Sequence, residues 1–416
     1  MTMRGQSASS GNLVSGTGPA ALPWAIILAG CTVALLTFGP RSAMGFFQIP
    51  LLTERGWDRT TFGLAMAIQN IAWGVGQPFF GAMADRFGTA RVLVASALLY
   101  AAGLVIMAYS PAPFWLHVGG GIFVGLAVAA GSFGVVMAAL ARRVPPERRS
   151  FVFGLATAAG SFGMFAFAPI SQAMIDALGW SDALIGLAIL MALIPLAAIP
   201  LRGQPRHQLN PGETEQSVAE ALSQALRHRS FMLLFSGFFV CGFQVAFITA
   251  HFPAYIADLG LSPRWAVIAI SLIGFFNIIG SIASGAISER YSKPVFLALI
   301  YLARSLAVTI FLLAPASPAS VVIFSVVMGL LWLSTVPPTN ALVAIMFGTR
   351  HLGLLGGIVF LSHQIGSFLG VWLGGYLYDK TGSYDEVWWL GVALGLFAAL
   401  VHWPIREQAA ELRLAS

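Results

Sequence analysis

The chain has 416 residues, of which 58% are hydrophobic and only 9% charged, with a mean hydropathy of +0.83. A soluble domain carries about 25% charged residues, so the composition excludes a soluble globular protein and describes a polytopic membrane protein. The net charge of +6 reflects membrane topology rather than a nucleic-acid partner. The two cysteines, Cys31 and Cys241, both lie in apolar runs, which argues against a disulfide framework.

In chain order, residues 1–22 are rich in Ser, Gly and Thr and are expected to form a disordered cytoplasmic tail. The apolar run that follows is too long for a cleaved signal peptide. Twelve spans are expected, each near or above the roughly twenty residues needed to cross a bilayer. They cover 24–47, 60–81, 92–110, 113–141, 150–175, 182–201, 230–257, 265–287, 294–314, 318–346, 353–377 and 385–404. This gives an all-α membrane fold: a six-helix bundle over 23–201, a cytoplasmic linker over 202–229, a second six-helix bundle over 230–404 and a cytoplasmic tail over 405–416. The linker holds Gln204-Pro205-Arg206-His207 and is expected to include a short surface helix over 217–227. With the N-terminus inside, sixteen Lys and Arg residues fall in cytoplasmic segments. Four fall outside: Arg55, Arg59, Arg264 and Lys380. That asymmetry sets both termini in the cytoplasm.

Within the first span, Phe38-Gly39-Pro40-Arg41-Ser42 stands out. Arginine is costly inside a bilayer, so Arg41 is a candidate site residue with a partner to be found. Pro40 removes a backbone donor beside it and frees carbonyls. On a helix, Thr37, Arg41, Gly45 and Gln48 share one polar or small face. The bland alternative is an Arg that snorkels to the surface.

The two halves repeat. An offset of 204 pairs Gly56 with Gly260, Gly76 with Gly280, Gly81 with Gly285 and Asp85-Arg86 with Glu289-Arg290. An offset of 203 pairs Gly179 with Gly382, and one of 210 pairs Cys31 with Cys241 and Arg41 with His251. Parallel six-span repeats with a site between them near mid-membrane form a transporter layout. The loop Gly81-Ala82-Met83-Ala84-Asp85-Arg86-Phe87-Gly88-Thr89-Ala90-Arg91, echoed around Glu289 and Arg290, resembles the signature of the major facilitator superfamily. The resemblance implies that Gly81, Asp85, Arg86, Gly88, Arg91, Glu289 and Arg290 gate the cytoplasmic side and do not bind substrate. Pro40-Arg41-Ser42 followed by Phe46-Phe47 resembles the monocarboxylate porters, whose first span carries Pro-Lys-Ser there with a carboxylate-binding lysine. Gly56-Trp57 and Gln77-Pro78 are common in bacterial members of that branch, which implies a bacterial plasma (inner) membrane. The chain departs from the branch in carrying Asn277 and Ser281 where an Asp and an Arg are frequent, and in replacing the lysine by Arg41, which does not release its proton.

No Asp or Glu lies deep within any span, so intramembrane charge is basic: Arg41, Arg304 and the titratable His251 and His363. A positive cavity without a carboxylate favours an anionic substrate and disfavours cationic drugs. Expected substrate contacts are Arg41 and His251, with Gln69, Asn70 and Trp73 on the second span, Gln244 and Tyr255 on the seventh, Asn277 on the eighth and Trp332 on an interrupted tenth span. His363 and Arg304 are further candidates, each also readable as structural. Most of these polar and aromatic side chains serve equally as packing or helix–helix hydrogen bonds.

Two function classes follow. One is transport of a small organic anion, a mono- or dicarboxylate, by proton symport or anion exchange. The other is efflux of drugs, siderophores or lipopeptides. Gly160-Ser161-Phe162-Gly163 lacks the Gly-Pro of the drug-antiporter signature in the fifth span, which weighs against efflux. An enzyme is not expected, nor a cofactor, metal or nucleic acid. The expected partners are the anion, the bilayer and protons if transport is proton-coupled, with the chain a monomer. If protons are coupled, His251 is the favoured carrier, since its unperturbed pKa is about 6.5.

Overall fold

A bilayer offers the backbone no hydrogen-bond partner but itself, and every expected span is helical. The computed structural model describes residues 22–145, 148–203, 218–348 and 352–409. The expected N-terminal tail up to residue 21, the linker over 204–217, and Arg350 and Arg413 lie outside them. Among the described residues, eleven helical units are long and apolar enough to cross a membrane, from Trp24–Arg55 to Asp385–His402. A further 29-residue helix, Arg59–Phe87, completes the twelve. Gln69, Asn70 and Gln77 dilute its hydropathy. The spans form two pseudo-symmetric six-helix bundles.

Several helices outrun the expected spans. The first continues to Arg55 through a helix over Trp24–Ser42, a tight 3₁₀ turn over Met44–Phe47 and a last helix over Gln48–Arg55. Pro40 and the Ser42 hydroxyl, which donates to the Gly39 carbonyl at 2.7 Å, mark the change of register. The stripe Thr37, Arg41, Gly45 and Gln48 therefore does not face one neighbour. Gly45 is required where the first span crosses the seventh: a Cβ there would lie 2.7 Å from the Thr249 carbonyl oxygen.

The repeat is written in the backbone. Gly56 and Gly260, 204 residues apart, both close their helices at positive φ (67° and 74°), and Gly179 and Gly382 do the same at 84° and 74°. These four positions fix the register of the halves, and they correct the offset of 210. At 204, Arg41 falls opposite Val245 rather than His251. The surface helix is present as Val218–Arg227, with Ala221 and Ala225 buried and Glu220 exposed.

One face of the bundle collects Arg86, Arg91, Arg142, Arg143, Arg202 and Arg290 in its loops and helix ends; it is called the basic face below. The halves meet along two seams. The second span packs on the eleventh, where Gln364 Nε2 donates to the Asn70 carbonyl at 3.0 Å. The fifth packs on the eighth, where Asn277 Nδ2 donates to Ser161 Oγ at 2.9 Å.

Candidate substrate cavity

Between the halves lies a cavity of about 590 Å³. Its wall runs from Arg41 and Thr249 through Gln77 and Thr157 to Asn340 and Gly353. The last two stand at the basic-face ends of the tenth and eleventh spans, so the cavity reaches toward that face. Arg41 is the charged residue of the wall, and no Asp or Glu lines it among the described residues.

Arg41 Nη2 donates to Asn70 Oδ1 at 2.6 Å, and Asn70 is oriented by its own Nδ2 donating to the Met66 carbonyl at 2.9 Å. The guanidinium carbon sits 4.8 Å from the Trp73 ring centroid, a cation–π distance. Arg41 Nε and Trp73 Nε1 are buried and have no hydrogen-bond partner. A guanidinium held by one neutral amide, with donors to spare, is arranged to receive an oxyanion.

The walls are aromatic. Phe38, one turn before Arg41, stacks on Phe133 at 4.3 Å and meets Trp73 at 5.7 Å. Trp73 meets Phe360 edge-on at 5.0 Å, and Phe360 stacks on His363 at 5.7 Å. His363 lines the cavity with its Nδ1 against Gln364 Oε1 at 3.0 Å. Asn277 and Trp332 line it as well. Asn277 is committed to the fold, since its Oδ1 accepts from the Leu333 amide at 3.1 Å.

Other expected contacts point elsewhere. Gln69 Nε2 donates to the Gly120 carbonyl at 2.8 Å, and Gln244 Nε2 to the Gly391 carbonyl at 2.9 Å. Tyr255 packs among Phe252, Phe311 and Trp388. Arg304 is fully buried; its guanidinium donates to the carbonyls of Leu331, at 2.6 Å, and of Trp332. It caps the half-helix Pro318–Leu331, whose C-terminal dipole supplies the negative potential that a carboxylate would otherwise give.

His251 is absent from the cavity wall, a correction with a geometric reason. It lies seven residues before the end of its helix at Asp258, about 10 Å from that end. Arg41 lies about twice as far from Arg55. His251 Nε2 donates to the Val371 carbonyl at 2.8 Å, which leaves Nδ1 to accept from Tyr384 OH at 3.1 Å and Gln48 Nε2 at 3.2 Å. It belongs to the seal at the face opposite the basic one. There Arg59 donates twice to Asp258, at 2.5 and 2.7 Å, and once to Tyr384 OH at 3.0 Å. Asp379 accepts from the amides of Arg59 and Thr60, at 3.1 and 2.6 Å, an anion on a helix N-terminus. Both carboxylates come from the second half and both amides from the first.

At the basic face, the charged residues of the signature loop lie at the surface. Asp85, Arg86, Arg91, Glu289 and Arg290 are exposed. Gly88 closes its helix at φ 89°. Gly81 makes no close helix contact: a Cβ there would meet nothing within 4 Å. Burial pulls the Arg142 pKa down, and the charge of Asp85 partly opposes this.

Sequence reasoning missed Phe38, Ser132, Phe133 and Phe360. The first was legible one turn from Arg41. The others carry no charge or proline to mark them among apolar neighbours.

A twelve-helix membrane protein with its cavity between two repeated halves is a secondary transporter by architecture, not an enzyme. The chain belongs to the Major Facilitator Superfamily, whose family model matches residues 26–360. It is 26% identical over 371 residues to the uncharacterized MFS-type transporter YcxA of Bacillus subtilis, covering 87% of this chain and 90% of that one. It is 25% identical over 384 residues to monocarboxylate transporter 13 of Bos taurus, covering 87% and 84%. A bacterial homologue of the lysosomal transporter Spinster, solved in an inward-facing and unoccupied conformation, superposes with a TM-score of 0.74 at 16% identity, over 92% of this chain and 97% of that one.

Proposed function

We propose that this protein moves a small organic carboxylate across the bacterial plasma membrane by alternating access, with both termini and the basic face in the cytoplasm. The observation that carries the reading is Arg41, a cavity guanidinium whose side chain donates to the neutral Asn70. Its charge needs an anion, and among the described residues the cavity wall holds no Asp or Glu, so the substrate brings the carboxylate. The likeness to a monocarboxylate transporter supports the same class. With the basic face cytoplasmic, the geometry is that of an inward-open state: sealed at Arg59–Asp258 and open toward Asn340 and Gly353. The cavity between the halves is lined by residues of a single chain, which supports function as a monomer.

The coupling partner is either a proton or a second anion. Arg41 does not release a proton, so a histidine is the side chain for symport. Among the described residues, His363 is the histidine on the cavity wall.

The test is counterflow of radiolabelled monocarboxylates and dicarboxylates in proteoliposomes, with known efflux substrates as a control. Arg41→Gln is expected to lower binding at least a hundredfold while the protein still inserts and elutes as a single species. Arg41→Lys retains part of it, because charge survives but the bidentate fork is lost. Undiminished counterflow by Arg41→Gln sinks the reading.

A further inference from the structure

The fourth span breaks at the cavity. Its helix stops at Ala130, passes through Gly131 and Ser132, and restarts as the nine-residue helix Phe133–Ala141. The first amides of a helix have no intrahelical acceptor, and the side chain of Ser132, the N-cap residue, does not cap them. Ser132 is 2% exposed and its Oγ has no hydrogen-bond partner. Ser132, Phe133 and Gly134 all line the cavity.

The tenth span breaks at the equivalent place, where Thr335 precedes the helix Val336–Phe347. That break is satisfied from within. Arg304 donates to the Leu331 and Trp332 carbonyls, Ser284 Oγ to the Ser334 carbonyl, and the Leu333 amide to Asn277 Oδ1. Its restarting helix carries Pro337 and Pro338, which have no N–H to offer. Thr339 Oγ1 is unpaired a turn further on, but the prolines remove the amides that would make it part of a pocket of donors. Two related breaks thus differ. One is filled by protein; the other keeps an unpaired hydroxyl and a helix N-terminus on the cavity wall. Leaving a buried polar group unpaired is costly, and a half-helix N-terminus near mid-membrane suits an anionic or strongly accepting substrate group.

We infer that the break at Ser132 is a second oxygen subsite. It receives an acceptor oxygen of the substrate remote from the carboxylate held by Arg41. The substrate is therefore an organic acid carrying a second oxo or carboxylate oxygen, with its carbon body against the wall formed by Phe38 and Phe133. This inference rests on the organic-anion reading above.

The test uses the full-length protein in proteoliposomes and inhibition of counterflow by two isosteric pairs: para-formylbenzoate with para-vinylbenzoate, and levulinate with isocaproate. The wild type is expected to favour the oxygenated member of at least one pair by about tenfold, the worth of one good hydrogen bond. Ser132→Ala is expected to bring that ratio toward one. Gly134→Pro removes a free amide in the first turn, where proline is tolerated and a Cβ meets nothing nearer than 3.8 Å; it is expected to lower the ratio as well. A serine that only shaped the helix would weaken both members alike and leave the ratio unchanged. A wild-type ratio of one in both pairs, or a ratio untouched by both substitutions, overturns the subsite and leaves the organic-anion reading standing. Inhibition by none of the four acids also overturns the subsite, and the Arg41 variants then judge the broader reading separately.

Discussion

At the scale of single residues, the cavity separates two histidines, of which the sequence favours His251. His363 sits on the wall beside Phe360, whereas His251 is locked by three hydrogen bonds at the opposite-face seal. In proteoliposomes, His363→Gln is expected to abolish accumulation driven by an inward proton gradient while leaving counterflow, if the transporter is a symporter. His251→Gln is expected to change the rate of turnover instead, because it loosens the seal. Gradient-driven accumulation that survives in His363→Gln assigns the proton to another group, and a wild type indifferent to the gradient is an anion exchanger. Arg41 was legible from sequence because a lone charge in an apolar run is conspicuous. The place of His251 was not, because an offset chosen on Cys31 and Cys241 slipped the repeat by about six residues, and helix depth changes by about 1.5 Å per residue. The glycines at 56 and 260 carried the right register, and their positive φ explains why they are glycines.

At the scale of elements, the spans were readable because each is an apolar run of crossing length. Their ends were not, because helices continue past the hydrocarbon until a glycine such as Gly56 or Gly382 turns the chain. The tenth-span interruption announced itself through Pro337 and Pro338. The fourth-span break had only Gly131 and Ser132 to mark it, a pair that elsewhere sits quietly inside helices. Arg304 links these levels: a buried cation on the ninth span holds the broken tenth open at Leu331 and Trp332, and Trp332 lines the cavity. Arg304→Met is expected to strand two carbonyls, at a cost of about 3 kcal/mol, and to lower the midpoint of thermal inactivation in detergent. Arg304→Lys should recover part of that loss, with one carbonyl still served. A melting midpoint unchanged in Arg304→Met would show that water or a neighbouring helix satisfies the break without the guanidinium.

At the scale of the whole molecule, the two ends of the cavity are held by different chemistry, and each end biases the equilibrium between the two access states. The opposite face is sealed across the halves by Arg59–Asp258 and by Asp379 on the amides of Arg59 and Thr60. At the basic face Asp85 and Glu289 stand exposed, and the proposed gate places the closing contacts of the other access state there. Arg59→Gln removes a contact that joins the two halves at the closed face, and alternating access as proposed would break it on opening. It therefore shifts the population toward the state open there. A partly exposed ion pair is worth about 1 kcal/mol, so the expected shift is about fivefold. Asp85→Asn removes a charge whose proposed role is closure of the basic face, so it shifts the population the other way, with substrate selectivity unchanged. The double variant should lie near the wild-type distribution, since the two sites lie at opposite ends of the bundle and distant effects add. Spin labels at Tyr109 and Arg264, both exposed at the opposite face, read the equilibrium directly: longer distances gain weight in Arg59→Gln, lose it in Asp85→Asn and return in the pair. Shifts of the same sign in both single variants would remove the signature loop from the gate, because a residue that closes one end cannot favour the same state as one that closes the other.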